Sequence, residues 1–154
     1  MPIIDDIDKR ILAILQEDGR ISNLDLSDKV GLSPSPCLRR LRNLEKDGLI
    51  DRYVAVLDQT KAGFPVSVFI SVKLEKQLDT MLAEFENTVR LFPEVLECYL
   101  MTGSQDYHLR VVATDLAAYE RFLKTKLTRL ENIASIESSF ALQQVKYTNK
   151  LPLL

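Results

Sequence analysis

Between Asp5 and Asp18 the apolar residues Ile7, Ile11, Ile14 and Leu15 recur at three- and four-residue spacing. That period predicts an amphipathic helix, opened by aspartates that favour a helix N-terminus and followed by Gly19. Ser22 followed three residues later by Asp25 has the form of a capping box with Asp in place of Glu. It predicts a second, short helix through Leu26 and Val30 that Gly31 stops. Gly31, Leu32 and Ser33 make a three-residue turn; Ser33 takes the N-cap, and Pro34 and Pro36 fall at the first and third positions of a third helix. The first N–H groups of a helix have no internal partner, so prolines there forfeit no bond and pre-set φ. At about 100° per residue, Cys37, Leu38, Leu41 and Leu44 share one side of this helix; Ser35, Arg39, Arg42, Asn43 and Lys46 share the other, with Arg40 on its flank. Gly48 ends it.

The stretch "LIDRYVAVLD" alternates well enough for a strand and runs into the turn-rich "QTKAGFP". Beyond Pro65 the period changes again. Val66, Val68, Ile70, Val72 and Leu74 occupy one side of a strand, and Leu78, Met81, Leu82, Phe85, Val89 and Phe92 then take helical spacing until Pro93. "VLECYLM" and "YHLRVVAT" predict two strands joined by the hairpin-like "TGSQD". Asp115 caps a helix carrying Leu116, Tyr119, Leu123, Leu127 and Leu130, and "IASIESSFALQQV" returns as a last strand whose slipping alternation suggests a bulge. The fold class is therefore α+β: an N-terminal helix-turn-helix domain of winged-helix-like type, then a ferredoxin-like βαββαβ sandwich with both helices on one sheet face. The other face is open or paired with another copy. The expected domains are 1–50 (helix-turn-helix), 51–65 (strand linker), 66–148 (sandwich) and 149–154 (tail).

Composition narrows the functional classes. A chain of 154 residues with a formal charge of −2 and a pI near 5.5 does not coat nucleic acid by bulk charge. Positive charge is instead aimed: residues 1–52 carry nine Lys or Arg against ten Asp or Glu, whereas Ser33–Lys46 carry four against one. Cys37 and Cys98 stand in no metal-ligand or redox spacing and read as buried free thiols, and no segment has the pattern of a signal peptide or membrane span. The expectation is a cytoplasmic protein with no metal and no cofactor.

Two helices joined by a short turn containing Gly, the second one basic, form the arrangement that places its second helix in the DNA major groove. Arginine suits base reading because its planar fork bonds guanine O6 and N7 together. Ser35 and Arg39, nearest the helix start, are the candidates for base edges; Arg40, Arg42 and Lys46 are the candidates for phosphates. The plainer readings are a solvated surface helix or a protein-binding module. An enzyme of ferredoxin-like fold with an accessory helical domain is the alternative function. It lacks sequence support: His108 is the only histidine, and no phosphate-cradling glycine loop is present.

The run "GRISNLDLSDKVGLSPSPCLRRLRNLEKDGLI", Gly19–Ile50, together with "LMTGSQDYHLRV", Leu100–Val111, resembles the Lrp/AsnC family of feast/famine transcription regulators across essentially the whole chain. "SPSPCLRRLRNLE" and the ending "SSFALQQVKYTNKLPL" place it nearer the leucine-responsive branch. The resemblance implies double-stranded DNA as partner and a C-terminal domain that both dimerises and senses a small amino acid such as leucine or methionine. Family dimers often assemble into octamers. Two-fold pairing sets two recognition helices about one DNA turn, ~34 Å, apart. By the same resemblance the effector sits near the loop Thr102–Tyr107. Thr102 belongs to that loop, Gly103 leaves room for the backbone to approach, Asp106 takes the ammonium and Tyr107 walls the pocket. Ser138 and Ser139 are a neighbouring subunit's share.

Overall fold

The computed structural model describes residues 4–153; residues 1–3 and 154, at the outer ends of the expected first domain and tail, lie outside the described residues. The chain folds as two compact units. One runs to Val56 and takes in the chain again from Val145; the other is Leu57–Gln144. Residues 145–148, ahead of the expected tail at 149–154, group with the first unit.

The first unit holds α1 (Asp6–Glu17), α2 (Asn23–Val30) and α3 (Pro34–Lys46). Helix α1 begins in a full capping box: Asp5 accepts from the Asp8 N–H at 2.9 Å, and Asp8 accepts from the Asp5 N–H at 3.3 Å. Ser22 caps α2 by accepting from the Asp25 N–H at 3.1 Å, while its hydroxyl donates to the Asp25 carboxylate at 2.5 Å; the reciprocal backbone bond of a full box is replaced by that side-chain bond. Gly31 ends α2 at φ 73°, a left-handed conformation that a side chain disfavours. Gly19 lies just beyond the end of α1, as its position predicts. Asp18 is the C-cap of α1, and a Cβ on Gly19 would stand 3.3 Å from the ring of Tyr53, so the glycine admits that ring. Ile11, Leu12, Leu26, Val30, Cys37 and Leu44 are the buried core.

The expected strand over "LIDRYVAVLD" is not formed. Residues 51–58 make no ladder with any described residue, because a strand needs a second edge to bond and none lies beside it. Tyr53, Val54, Val56 and Leu57 are left exposed.

The second unit holds β1 (Val66–Leu74), α4 (Asp79–Val89), β2 (Val95–Leu100), β3 (Tyr107–Ala113), α5 (Leu116–Thr125), a 3₁₀ turn at Leu127–Arg129 and β4 (Ile133–Phe140). Sheet order β2-β3-β1-β4, all neighbours antiparallel, is that of a ferredoxin-like sandwich. Val68, Ile70, Val72, Leu109 and Val111 alternate onto the helix-covered face and pack with Phe85, Val89, Tyr119 and Phe122. Burying such side chains contributes roughly 1.5–3 kcal/mol each. The bulge in the last strand lies at Ala134: Lys73 pairs with Ser135 and Leu74 with Ile133. Among the described residues no helix is long and apolar enough to cross a membrane.

Candidate functional site

The turn between α2 and α3 is fixed at three points. The Leu32 N–H donates to the Ser27 carbonyl at 2.9 Å, Asn23 Nδ2 donates to the Pro34 carbonyl at 2.9 Å, and Gly31 supplies the left-handed backbone. Helix α3 starts at Pro34 as the imino acids require, with Ser33 at the N-cap; its side chain makes no capping bond. Gly48, at φ 72°, stops it. Cys37 and Leu44 are buried in the core and Leu38 and Leu41 are half-buried, which turns Ser35, Arg39, Arg42, Asn43 and Lys46 outward together.

Arg40 stands apart from that set. Its Nη1 donates to Asp5 Oδ2 at 2.7 Å and to Asp8 Oδ1 at 2.9 Å, so its charge is spent inside the unit, clamping the start of α1 to the middle of α3. Asp5 is held below the ordinary carboxylate pKa by the Asp8 N–H first and by the Arg40 guanidinium second. Sequence reading assigned Arg40 to phosphate and missed the clamp, although the Asp5/Asp8 pair at i, i+3 was visible. Which arginine reaches back to α1 depends on the angle between the helices.

In the second unit, Thr102 and Gly103 lie exposed on the loop between β2 and β3, with Gly103 at φ 118°. Asp106 does not face outward. It is 7% exposed, accepts from the Leu74 N–H at 2.7 Å and from Gln77 Nε2 at 2.6 Å, and its backbone bonds Met101 and Val72. Both carboxylate oxygens therefore tie the loop to the end of β1. Tyr107 points to the helix-covered side: it packs on Phe85 and donates from its hydroxyl to Glu86 at 2.9 Å. There it floors a groove of about 370 Å³ between α4 and β2, whose rim includes Glu86, Arg90, Cys98 and Leu100. The two serines of β4 part company as the pleat dictates. Ser138 is bonded to the Tyr119 hydroxyl at 2.6 Å on the helix side, whereas Ser139 pairs with Phe69 on the open face.

Gln77 escaped sequence reading as part of this region, whereas Gln105 lies on the candidate loop itself, where its polar side chain, like that of His108, can shape a pocket. Gln105, half-buried beside Asp106, has a buried side-chain oxygen without a hydrogen-bond partner. Of the two thiols, Cys37 is buried as expected, and desolvation raises its pKa. Cys98 is not: it lies exposed on the edge strand β2, which α4 does not cover, although its thiol faces the groove and desolvation there pushes its pKa up to about 11.

The face of the sheet away from the helices is part apolar and part charged, and Gln59 reaches over one end of it. Phe69 stacks on His108 with ring centroids 5.8 Å apart, Tyr99 stands half-exposed beside them, and Arg110 reaches Glu97 at 3.1 Å and Gln59 at 2.8 Å.

Residues 4–51 match the family model of winged helix-turn-helix DNA-binding domains, and residues 67–151 match that of the Lrp/AsnC ligand binding domain. The chain is 48% identical over 153 residues to the Bkd operon transcriptional regulator of Pseudomonas aeruginosa, covering 99% of this chain and 100% of that protein. It is 38% identical over 148 residues to the leucine-responsive regulatory protein of Escherichia coli K12, covering 96% and 90%. A crystal structure of a transcriptional regulator from Neisseria meningitidis in complex with L-Met superposes with a TM-score of 0.93 at 39% identity, over 97% of each chain. A DNA-binding unit with a cationic recognition helix, followed by a ligand-binding sandwich of matching topology, places this chain in the Lrp/AsnC family of transcriptional regulators.

Proposed function

We propose that the chain binds double-stranded DNA in a sequence-dependent manner through α3 and that a small apolar amino acid, such as leucine or methionine, modulates that binding; it acts by recognition, without turnover. The carrying observation is the outward set Ser35, Arg39, Arg42, Asn43 and Lys46 on a helix whose opposite side is locked in the core. Arg39 and Ser35, in the first turns of α3, meet base edges, and Arg42 and Lys46 meet phosphates. Arg40 serves the reading only indirectly, by holding α3 against α1.

The acting species in this reading is a homodimer that assembles further, as an octamer of four dimers. Two features support pairing: the open sheet face with Phe69, Tyr99 and His108, and the exposed, largely apolar stretch Tyr53–Leu57, whose backbone lacks a ladder partner among the described residues. The effector belongs at the loop Thr102–Tyr107, with Ser138 and Ser139 as the neighbouring subunit's share. An ammonium group reaching Asp106 replaces Gln77 on Oδ1, the less buried of its two bonds. The methionine complex of the Neisseria regulator supports this ligand class.

Selection of duplexes from random sequence tests the reading. A near-palindromic site should emerge for the wild type, and Arg39→Ala should relax it; an identical site for both removes Arg39 from base reading. Amino acids are then screened by thermal shift, since a ligand that binds only the native state raises apparent stability. Failure to retain any duplex at low salt sinks the proposal.

A further inference from the structure

The ligand-binding family model runs to residue 151, yet from Val145 onward the chain belongs physically to the DNA-binding unit. Residues 141–144 alone separate the end of β4 from that segment. The docking is specific to backbone. Gln16 on α1 donates from Nε2 to the Leu151 carbonyl at 3.2 Å and accepts the Leu151 N–H at 2.5 Å, so one side-chain amide satisfies both polar groups of one residue, as a neighbouring strand does. Lys150 forms an ion pair with Glu17 beside it. Leu153 is partly buried against the apolar core of this unit, to which Ile11, Leu12 and Leu26 belong. Between α1, residues 49–56 and this segment lies a largely apolar groove of about 600 Å³, lined by Leu12, Leu15, Tyr53, Val56, Leu151 and Leu153.

We propose that residues 145–153 are a strap by which the ligand-binding half of the chain completes and controls the DNA-reading half: docked on α1, they hold it, and α1 holds the recognition helix. The second link in that series is the Arg40 clamp, which joins Asp5 and Asp8 at the start of α1 to α3. Among the described residues the strap's contacts include one half-buried leucine, one amide pair and one exposed ion pair, few enough that it can dock and undock. Its covalent continuity with β4, the strand of Ser138 and Ser139, gives a change at the ligand-binding sheet a route to α1. The consequence for DNA rests on the DNA-reading function proposed above; the docking does not.

Three variants test it: a chain ending at Gln144, Leu153→Asp, and Gln16→Ala, the last removing a surface amide without touching the core. Hydrogen exchange of the α1 amides and fluorescence anisotropy with a duplex selected by the full-length protein are the readouts. Loss of the half-buried Leu153 together with the Gln16–Leu151 amide pair should speed α1 exchange about tenfold in the shortened chain, and the loss of either one alone, in Leu153→Asp or Gln16→Ala, should speed it by a smaller factor, with DNA binding weakened in parallel. The salt slope should stay unchanged, because the same phosphates are neutralised in every variant. Unaltered α1 exchange in the shortened chain overturns the strap; faster exchange with unaltered DNA affinity overturns its control of reading. Should the full-length protein select no duplex, the DNA-reading function fails, while the exchange measurement still decides the strap.

Discussion

Replacing Asp106 measures how much its inward hydrogen bonds contribute to the fold of the ligand-binding unit. Its carboxylate accepts the buried Leu74 N–H at 2.7 Å and Gln77 Nε2 at 2.6 Å, and it is 7% exposed. Asp106→Ala leaves the Leu74 N–H unpaired away from water, a cost of about 2 kcal/mol for a donor to a charged acceptor; the Gln77 bond, within reach of solvent, adds about 1 kcal/mol. Asp106→Asn retains an oxygen for Leu74, and Gln77 can turn its amide to meet the new NH₂, so about 1 kcal/mol is lost. For a unit of this size each kcal/mol moves the melting temperature by about 4–8 °C, which puts the alanine variant roughly 15 °C below wild type and the asparagine variant about 5 °C below. Calorimetry at fixed protomer concentration measures both, since association also contributes to apparent stability. Gln77→Ala and the double variant complete a cycle whose coupling energy should be about 1 kcal/mol. An alanine variant that melts within about 2 °C of wild type refutes the assignment of Asp106 as the tie between loop and β1.

Three further outcomes follow from the same geometry. The slope of log affinity against log salt should fall by roughly 0.9 for each phosphate that the protein no longer neutralises. Arg42→Gln and Lys46→Gln should therefore lower it while Arg40→Gln leaves it unchanged and weakens binding through loss of the α1–α3 clamp; an equal fall for Arg40→Gln returns that residue to the phosphate set. Because Asp5 has a folded pKa depressed below its ordinary value of 3.8, its contribution to stability is present above that value and lost as pH falls through the lower, folded one. Acid unfolding of Asp5→Asn, followed by circular dichroism between about pH 5 and 2, should accordingly show a shallower loss of stability than wild type; superimposable profiles count against the depressed carboxylate. Cys98, with its pKa near 11 against an ordinary 9.0, has about 100-fold less thiolate at pH 8 than an unperturbed thiol, and after the greater nucleophilicity of the more basic thiolate is allowed for it should alkylate with iodoacetamide about tenfold more slowly, despite its exposure. A rate equal to that of free cysteine refutes its desolvation.

The local elements were legible along the chain for local reasons. Helix capping by Asp5, Ser22 and Asp115, the left-handed stop at Gly31 and the proline start at Pro34 each depend on residues within a few positions of one another, and the structure has all of them. Two-residue alternation likewise separated the buried side of β1 from its open side. The sites were harder to read, because a side chain's partner is decided by packing.

Sequence by itself determined the two modules, the order of elements within each, and the outward cationic stripe of α3, because these follow from periodicity and from backbone groups that must find partners nearby. Only the tertiary structure decided that Arg40 is bound to Asp5 and Asp8, that Asp106 is bonded inward, that Tyr107 and Ser138 point under the helices, and that residues 51–58 have no ladder. It alone brought Leu151 to Gln16, residues 135 positions apart in the chain. Periodicity fixes which side of an element is buried; the partner met by a polar group on that element depends on interhelical angle, strand order and chain return, which no local pattern encodes.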